Sequence, residues 1–170
     1  MPSDRWSRRP APADGQGNVP RRIGWREWLA LPELGIPAIK AKIDTGARSS
    51  ALHVDALEEH QRADGDWVRF QIATRRYRRR QSSASWFEAR VLAHRPVTDS
   101  GGHVSLRPFI RTLVRIGDQT FATEINLTNR RGMLFPILLG RTAMAGRFVV
   151  DPNASYLLPK PSAHNQSIRE

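Results

Sequence analysis

The chain contains no cysteine among its 170 residues, so neither disulfide bonds nor thiolate chemistry are available to it. It has no apolar run near the roughly 18 residues that a membrane-spanning helix needs. Its first residues also lack the apolar stretch of a secretory signal. These absences exclude disulfide-rich, membrane-spanning and cysteine-dependent classes, and they predict a cytoplasmic protein. The length of 170 residues predicts one globular domain.

Acidic side chains are scarce beside basic ones, since 16 Asp and Glu face 27 Lys and Arg and leave a formal net charge of +11. Residues 1–22 hold only five of the arginines and two of the aspartates, so most of the positive charge belongs to the remainder of the chain. A field of this sign attracts polyanions, whether nucleic acid, anionic lipid or acidic peptide. Charge alone does not choose among them.

The two ends of the sequence differ in composition from its centre. Residues 1–22 are rich in Pro, Arg, Ala and Gly without hydrophobic periodicity, which predicts a disordered basic tail. Residues 160–170 are polar and predict a C-terminal tail that frays. The folded domain is therefore expected over 23–159.

Short segments of alternating polar and apolar residues predict strands within that domain. They are 38–43, 67–73, 86–93, 109–116 and 120–127, with a final hairpin from 148–150 and 156–158. One helical turn is expected at 142–145, and the Arg-rich residues 75–85 predict an exposed loop. Many short strands separated by turns favour an all-β barrel or sandwich.

Metal and nucleotide chemistry have little support in the sequence. His53 and His60 flank Asp55, Glu58 and Glu59, a pattern that predicts a solvated acidic helix. A zinc site would need three or four converging ligands at fixed spacing. The sequence has neither a GxSxG nucleophile elbow nor a phosphate-binding GxxxxGK[ST] loop.

A possible catalytic signature lies at Asp44-Thr45-Gly46-Ala47, which follows an alternating strand. Far along the chain, the apolar run Leu138-Leu139 leads into Gly140-Arg141. Between the two motifs, residues 99–105 predict a glycine-tipped hairpin. The three features occur in one order along a single domain.

In these motifs the sequence resembles the bacterial retropepsin-like aspartic endopeptidases of the RimB-like family. The resemblance extends along 24–53 and 106–152. It implies a retropepsin-like acid protease β-barrel with a flap hairpin at 99–105, acting without a metal or other cofactor. The main departure is the length of 55–98, which exceeds the corresponding part of a viral subunit.

The resemblance also implies a mechanism. A single Asp-Thr-Gly is half of an aspartic site, so a homodimer would bring two Asp44 carboxylates to about 3 Å, sharing one proton. Thr45 would hydrogen-bond across the pair, and the Gly46 N–H would donate to the carboxylate. The implied substrate is an acidic peptide, such as a poly-α-glutamate tail on a ribosomal protein, with a functional link to the ATP-dependent glutamate ligase that adds it.

Candidate substrate-binding residues surround the motifs, because arginine and lysine suit carboxylates and flap glycines permit closure over a substrate. The set is Ala47, Arg48, Lys42, His53, Gly101, Gly102, Arg107, Leu139, Gly140 and Arg141. Two roles stay open: Arg141 either binds substrate or braces the fold, and His53 either lines the site or lies in the core.

A second class of function also stays open. The chain would then be a non-catalytic basic β-barrel that binds acidic tails or nucleic acid. Residues 75–80, five arginines around Tyr77, are the candidate contact. Because no nucleic-acid-binding signature accompanies them, a solvated loop or one that binds an acidic partner is favoured over nucleic-acid recognition.

Overall fold

A computed structural model of the chain describes residues 19–72, 86–129 and 134–161. Its strands are β1 Arg21–Gly24, β2 Arg26–Leu31, β3 Ile36–Ile43, β4 Ser50–Arg62, β5 Gly65–Ile72, β6 Trp86–Thr98, β7 Val104–Ile116, β8 Gln119–Thr128, β9 Ile137–Leu139 and β10 Phe148–Asp151. A 3-10 turn at Pro32–Leu34 and a one-turn helix, α1 (Arg141–Met144), are the helical elements of these ranges. Most of the expected basic tail and the whole Arg-rich loop at 75–85 lie outside the described residues.

Eight strands form one mixed sheet in the order β2-β3-β9-β4-β5-β6-β7-β8, and additional pairings of β2 with β7 and β4 with β8 close it into a ring. β1 and β10 make a separate parallel pair. The prediction of a mostly β single domain is confirmed. Alternation explains β3, where Ile39, Ala41 and Ile43 are buried, whereas Lys40 and Lys42 face outward. Within the described part of the chain, no helix is long and apolar enough to cross a membrane.

The acidic helix expected over 53–60 is wrong, because these residues belong to β4. Leu57 pairs with Phe70 of β5, and the ring of Phe70 stacks against Phe87 of β6 at 6.0 Å. This packing with distant strands outweighs the local preference of a charged segment for helix. Residues 55–98, whose role the sequence left open, thus supply most of an antiparallel unit of β4, β5 and β6 in their described part.

The final hairpin expected from 148–150 and 156–158 is also wrong. β10 pairs in parallel with β1, and the residues after it lie along β2, where the Tyr156 N–H donates to the carbonyl of Arg26 at 2.9 Å. β1 also begins at Arg21, two residues before the expected start of the domain at 23. Strand formation at both boundaries depends on pairing between the two ends of the domain.

Glu27 explains why the C-terminal segment takes this course. Its side chain is fully buried, and a buried carboxylate needs donors. Oε1 accepts hydrogen bonds from the N–H groups of Gly24 at 2.8 Å and Leu157 at 2.9 Å, and Oε2 accepts one from Leu158 at 3.3 Å. A single side chain on β2 therefore joins β1 and the C-terminal segment to the sheet.

Replacing Glu27 by alanine should destabilise the fold by roughly 3 kcal/mol, because one buried and two partly buried N–H groups lose their acceptor. The free energy of unfolding in urea measures the loss. Glu58→Ala is the matched control, since Glu58 pairs with Arg69 at 3.1 Å on the surface and such pairs contribute less than about 1 kcal/mol. Equal losses in the two variants would contradict the role given to Glu27.

Candidate active site

The position of β9 determines the geometry of the site. β9 lies between β3, to which it is parallel, and β4, to which it is antiparallel. The loop 44–49 joins β3 to β4 and must therefore pass over the end of β9. Asp44 N–H donates to the carbonyl of Leu139 at 2.9 Å, and at the other end Arg141 N–H donates to the carbonyl of Ala47 at 2.9 Å. The loop is thus fastened to β9 and α1 at both ends.

Gly140 allows the closest approach in this arrangement. A Cβ atom at this position would lie 2.6 Å from the carbonyl carbon and oxygen of Ser49, nearer than any side chain tolerates. The Gly140 N–H donates to Ser50 Oγ at 3.1 Å, and the Ser50 carbonyl accepts from Asn126 Nδ2 at 2.6 Å. Ser50 and Asn126 are buried, so this support lies behind the loop.

The Asp44 carboxylate is oriented by the loop that follows it. Oδ1 accepts hydrogen bonds from the N–H groups of Gly46 at 3.1 Å and Ala47 at 3.2 Å. Lys42 Nζ lies 3.5 Å from Oδ2, and 24% of the Asp44 side chain is exposed. Oδ1 is therefore held by the backbone, whereas Oδ2 lies beside the ammonium group of Lys42.

Arg141 braces the same loop from the other side. Its Nη1 donates to the carbonyl of Thr45 at 2.9 Å and to that of Gly46 at 2.8 Å. Of the two roles that the sequence left open for Arg141, its contacts are those of a brace. Arg141 thus fixes the peptide groups of Thr45 and Gly46. The Thr45 residue itself is exposed at the tip of the loop.

A cleft of about 1250 Å³ lies over the loop. Its floor is formed by Asp44, Ala47 and Ser49, and the β6–β7 hairpin covers it through residues 95–100. Asp99 Oδ1 closes the hairpin tip by accepting from the N–H groups of Gly101 at 2.8 Å and His103 at 3.1 Å. The hairpin that the sequence predicts as a flap thus lines the same cleft as Asp44.

The walls of the cleft are rich in arginine, with side chains of Arg48, Arg95, Arg107 and Arg111 among its lining. Arg107 and Arg111 lie on the same face of β7. Arg107 donates through Nη1 to Asn126 Oδ1 at 3.2 Å. Arg95 forms an ion pair with Glu124. Among the described residues, Arg48 and Arg111 form no ion pair, and Glu124, which lies opposite Arg111 across the β7–β8 pair, is engaged by Arg95.

The predicted site residues fall into three groups. Asp44, Gly46, Ala47, Arg48 and Arg107 line the cleft. The second group supports the loop or caps the hairpin without lining the cleft: Lys42, Thr45, Leu139, Gly140, Arg141, Gly101 and Gly102.

His53 forms the third group by itself. It is 7% exposed, and its N–H donates to the carbonyl of Pro136 at 2.8 Å. Of its two open roles, the structure gives it the position of a core histidine. Its backbone helps to fix the approach to β9.

Sequence reasoning missed the buried support of Asn126 and the cleft arginines Arg95 and Arg111. For Arg111 a signal existed, because residues 107, 109 and 111 alternate along one strand and therefore share a face. Asn126 gave no signal, because its contacts join β8 to the distant Ser50.

Within the described ranges, no three His, Asp or Glu side chains are grouped so that they could hold a metal ion. The acidic residues of β4 instead form surface pairs. Glu59 Oε2 lies 2.9 Å from His94 Nε2, and Glu58 Oε2 lies 3.1 Å from Arg69 Nε. These carboxylates are therefore engaged in the sheet.

The ring-like sheet, the Asp-Thr-Gly loop fastened to β9 and the hairpin above it define the class of retropepsin-like aspartic endopeptidases. The family profile described as "RimB-like: Retropepsin-like aspartic endopeptidase RimB" matches residues 22–161. The chain belongs to this RimB-like family, which confirms the resemblance found in the sequence.

Its curated relatives carry the name probable alpha-L-glutamate ligase. One from Parasynechococcus marenigrum is 39% identical and one from Shewanella halifaxensis 36% identical, each over 136 residues and 80% of this chain. The match spans 29% of the length of these relatives. A crystal structure of a Legionella pneumophila protein of unknown function (DUF785) is 27% identical, with a TM-score of 0.66 over 81% of this chain and 97% of that one.

Gly140→Ala should destabilise the domain by about 2 kcal/mol or more, because the added methyl group overlaps the backbone of Ser49. The midpoint of thermal unfolding measures the effect. Gly101→Ala is the control, since its nearest neighbour is a side-chain atom, Asp99 Oδ1, at 3.2 Å. An unfolding midpoint for Gly140→Ala as high as that of the control would show that the loop moves freely over β9.

Proposed function

We propose that the chain is an aspartic endopeptidase that acts as a homodimer on acidic peptides, in particular poly-α-glutamate tails. The observation that carries the proposal is the Asp44 carboxylate, which two backbone N–H groups hold on the floor of a cleft beneath a flap-like hairpin. The ring of strands then corresponds to the retropepsin-like barrel. Thr45 and Arg48, exposed at the loop, are the groups that a second copy would meet.

The reaction requires two carboxylates, and each chain offers one Asp-Thr-Gly. In a two-fold dimer, the two Asp44 side chains share one proton, because like charges about 3 Å apart do not both ionise. The ionised Asp44 removes a proton from a bound water, whose oxygen bonds to the scissile carbonyl carbon. Asp44 of the partner subunit donates its proton to the carbonyl oxygen. As the C–N bond breaks, the first Asp44 passes the proton taken from water to the leaving nitrogen. A hydroxyl group of the diol intermediate returns a proton to the partner's Asp44, which restores the shared-proton state.

The cleft wall supports an acidic substrate. Arg48 and Arg111 form no ion pair in the described part of the chain, and Arg107 is oriented by the buried Asn126. Guanidinium groups bind carboxylates in bidentate fashion. In a cleft of this kind, glutamate side chains would gain contacts that glutamine side chains of the same size would not.

The relatives narrow the substrate further. Proteins named as probable alpha-L-glutamate ligases contain a segment 36–39% identical to this chain. A peptidase activity in the same polypeptide as a ligase of α-glutamate would remove residues of the kind that the ligase adds. The proposed substrate is therefore a protein with an α-linked glutamate tail, such as a tailed ribosomal protein, and the proposed functional partner is an ATP-dependent glutamate ligase.

Asp44→Asn should abolish cleavage of an oligo-α-glutamate tail, because the neutral amide takes no proton from water. Mass spectrometry of a glutamate-tailed protein after incubation with each chain measures the loss of glutamate residues. Tail binding without cleavage by the native chain would contradict the peptidase and favour the non-catalytic binding module instead. Cleavage of neutral peptides but not of the tail would keep the mechanism and reject the substrate.

Mixing the two chains tests the dimer. When native subunits at fixed concentration exchange with a threefold excess of Asp44→Asn subunits, activity should fall to about one quarter, because only native pairs hold two carboxylates. The initial rate of cleavage before and after exchange measures this. An unchanged rate would show that one chain suffices.

Arg111→Gln should raise the KM for an oligo-glutamate substrate about fivefold or more while leaving kcat nearly unchanged, since the side chain binds substrate without touching the reacting atoms. Arg90→Gln removes an exposed charge of β6 from outside the cleft and serves as the control. If both variants raised KM equally, general charge rather than the cleft wall would govern recognition.

A further inference from the structure

A second positively charged surface begins beside the catalytic loop. On the outer face of β2 and β3, Arg26 pairs across the strands with Lys42, and Trp28 pairs with Lys40. The C-terminal segment adds Tyr156 and Lys160 to this face, through ring and cation contacts with Trp28. The basic strip is defined as these six residues: Arg26, Trp28, Lys40, Lys42, Tyr156 and Lys160.

Aromatic rings hold the cations of the basic strip in place. Lys160 Nζ lies 4.4 Å and Lys40 Nζ 5.3 Å from the centre of the Trp28 ring. The guanidinium of Arg26 lies 5.2 Å from the centre of the Tyr156 ring. Such contacts attract a cation without neutralising its charge.

Few carboxylates approach these charges. Among the described residues, Lys40 and Lys160 have no ion-pair partner, and the carboxylate that meets the basic strip is Asp44, 3.5 Å from Lys42 Nζ. Elsewhere on the surface, the arginines Arg22, Arg62 and Arg69 each pair with Asp or Glu. The ammonium groups of the basic strip are therefore positioned but available.

The backbone of Tyr156 shows that this arrangement is held firmly. Its φ of 54° is the one positive φ of a non-glycine residue in the described ranges. A residue persists in this region only where its surroundings determine it. The bond from Tyr156 N–H to the Arg26 carbonyl and the bonds of the next two residues to Glu27 supply that constraint. The ring is thereby kept 6.1 Å from that of Trp28.

We propose that the basic strip is an exosite for an oligo-α-glutamate chain, binding the part of an acidic substrate that extends beyond the catalytic cleft. Lys40 and Lys42 stand two residues apart on a strand, a spacing of about 6.8 Å. Side chains on one face of an extended peptide recur at the same spacing, so the carboxylates of alternate residues in a glutamate chain match the ammonium groups of Lys40 and Lys42. The inference rests on the proposed function for its substrate and adds a site to it.

Single-stranded nucleic acid fits the basic strip less well. Base recognition without sequence preference depends on stacking against open aromatic faces. Here the rings of Trp28 and Tyr156 already carry the side-chain cations of Lys40, Lys160 and Arg26. An occupant that brings carboxylates can use these cations without displacing them.

Binding of a fluorescein-labelled oligo-α-glutamate to the Asp44→Asn chain, followed by fluorescence anisotropy, tests the exosite without requiring catalysis. The double change Lys40→Gln with Lys160→Gln should weaken binding about tenfold, whereas Lys40→Arg with Lys160→Arg should retain it. Arg147→Gln is the matched control, because Arg147 also lies over a ring, 4.7 Å from the centre of Phe121, but outside the basic strip. Its affinity should equal that of the Asp44→Asn chain.

Equal affinity of the Lys→Gln double variant and the Arg147→Gln control would overturn the exosite. So would stronger competition by a single-stranded oligonucleotide of equal charge, which would assign the basic strip to nucleic acid. In the native background, the double Gln variant should raise the KM for long glutamate chains and leave that for short ones unchanged. If the native chain cleaved nothing while the difference in affinity persisted, the proposed peptidase would fail and the exosite would stand.

Discussion

The close approach of the chain at Gly140 is the constraint on which the site depends. β9 lies between the two strands that the loop 44–49 connects, and the loop must cross the end of β9 with 2.6 Å between the Ser49 backbone and a virtual Cβ of Gly140. That crossing brings Leu139 to the Asp44 N–H and Arg141 to the carbonyls of the loop. A carboxylate held by backbone groups rather than by mobile side chains keeps its orientation at no further cost in entropy.

Sequence patterns within single segments predicted the elements whose structure depends on those segments alone. The alternation of Ile39, Ala41 and Ile43 identified β3, and the Asp-Thr-Gly and Gly-Arg motifs marked the loop and its support. Insertion of β9 beside β3 was not readable, because parallel pairing between distant segments leaves no trace in either segment alone. The same reason accounts for two errors, the helix over 53–60 and the final hairpin. In each, contacts with a remote partner, Phe70 or Glu27, decided the structure.

The net charge of +11 does not show which cations can bind an anionic partner. That depends on which of them already form ion pairs within the protein. On the outer surface, arginine and carboxylate neutralise each other: hydrogen bonds from Arg62 hold the pKa of Glu88 below its ordinary value, and those from Arg22 do the same to the pKa of Asp151. Near Asp44 the balance differs, because Arg48, Arg111 and the lysines of the basic strip form no ion pairs among the described residues, apart from the contact of Lys42 with Asp44. The net charge alone therefore does not show that the cations without an ion pair are concentrated around Asp44.

In a two-fold symmetric dimer, the basic strips of the two subunits would have to bind one peptide in opposite chain directions. In the proposed homodimer, one strip would lie on each side of the paired aspartates, and a peptide crossing the site would meet the two strips with opposite chain direction. Recognition through main-chain hydrogen bonds depends on that direction, because donors and acceptors alternate along a strand. Ammonium groups act on side-chain carboxylates as point charges and are insensitive to it. Lysines held over aromatic rings are thus suited to both halves of a symmetric site, and two such contacts on one tail would strengthen binding beyond either alone.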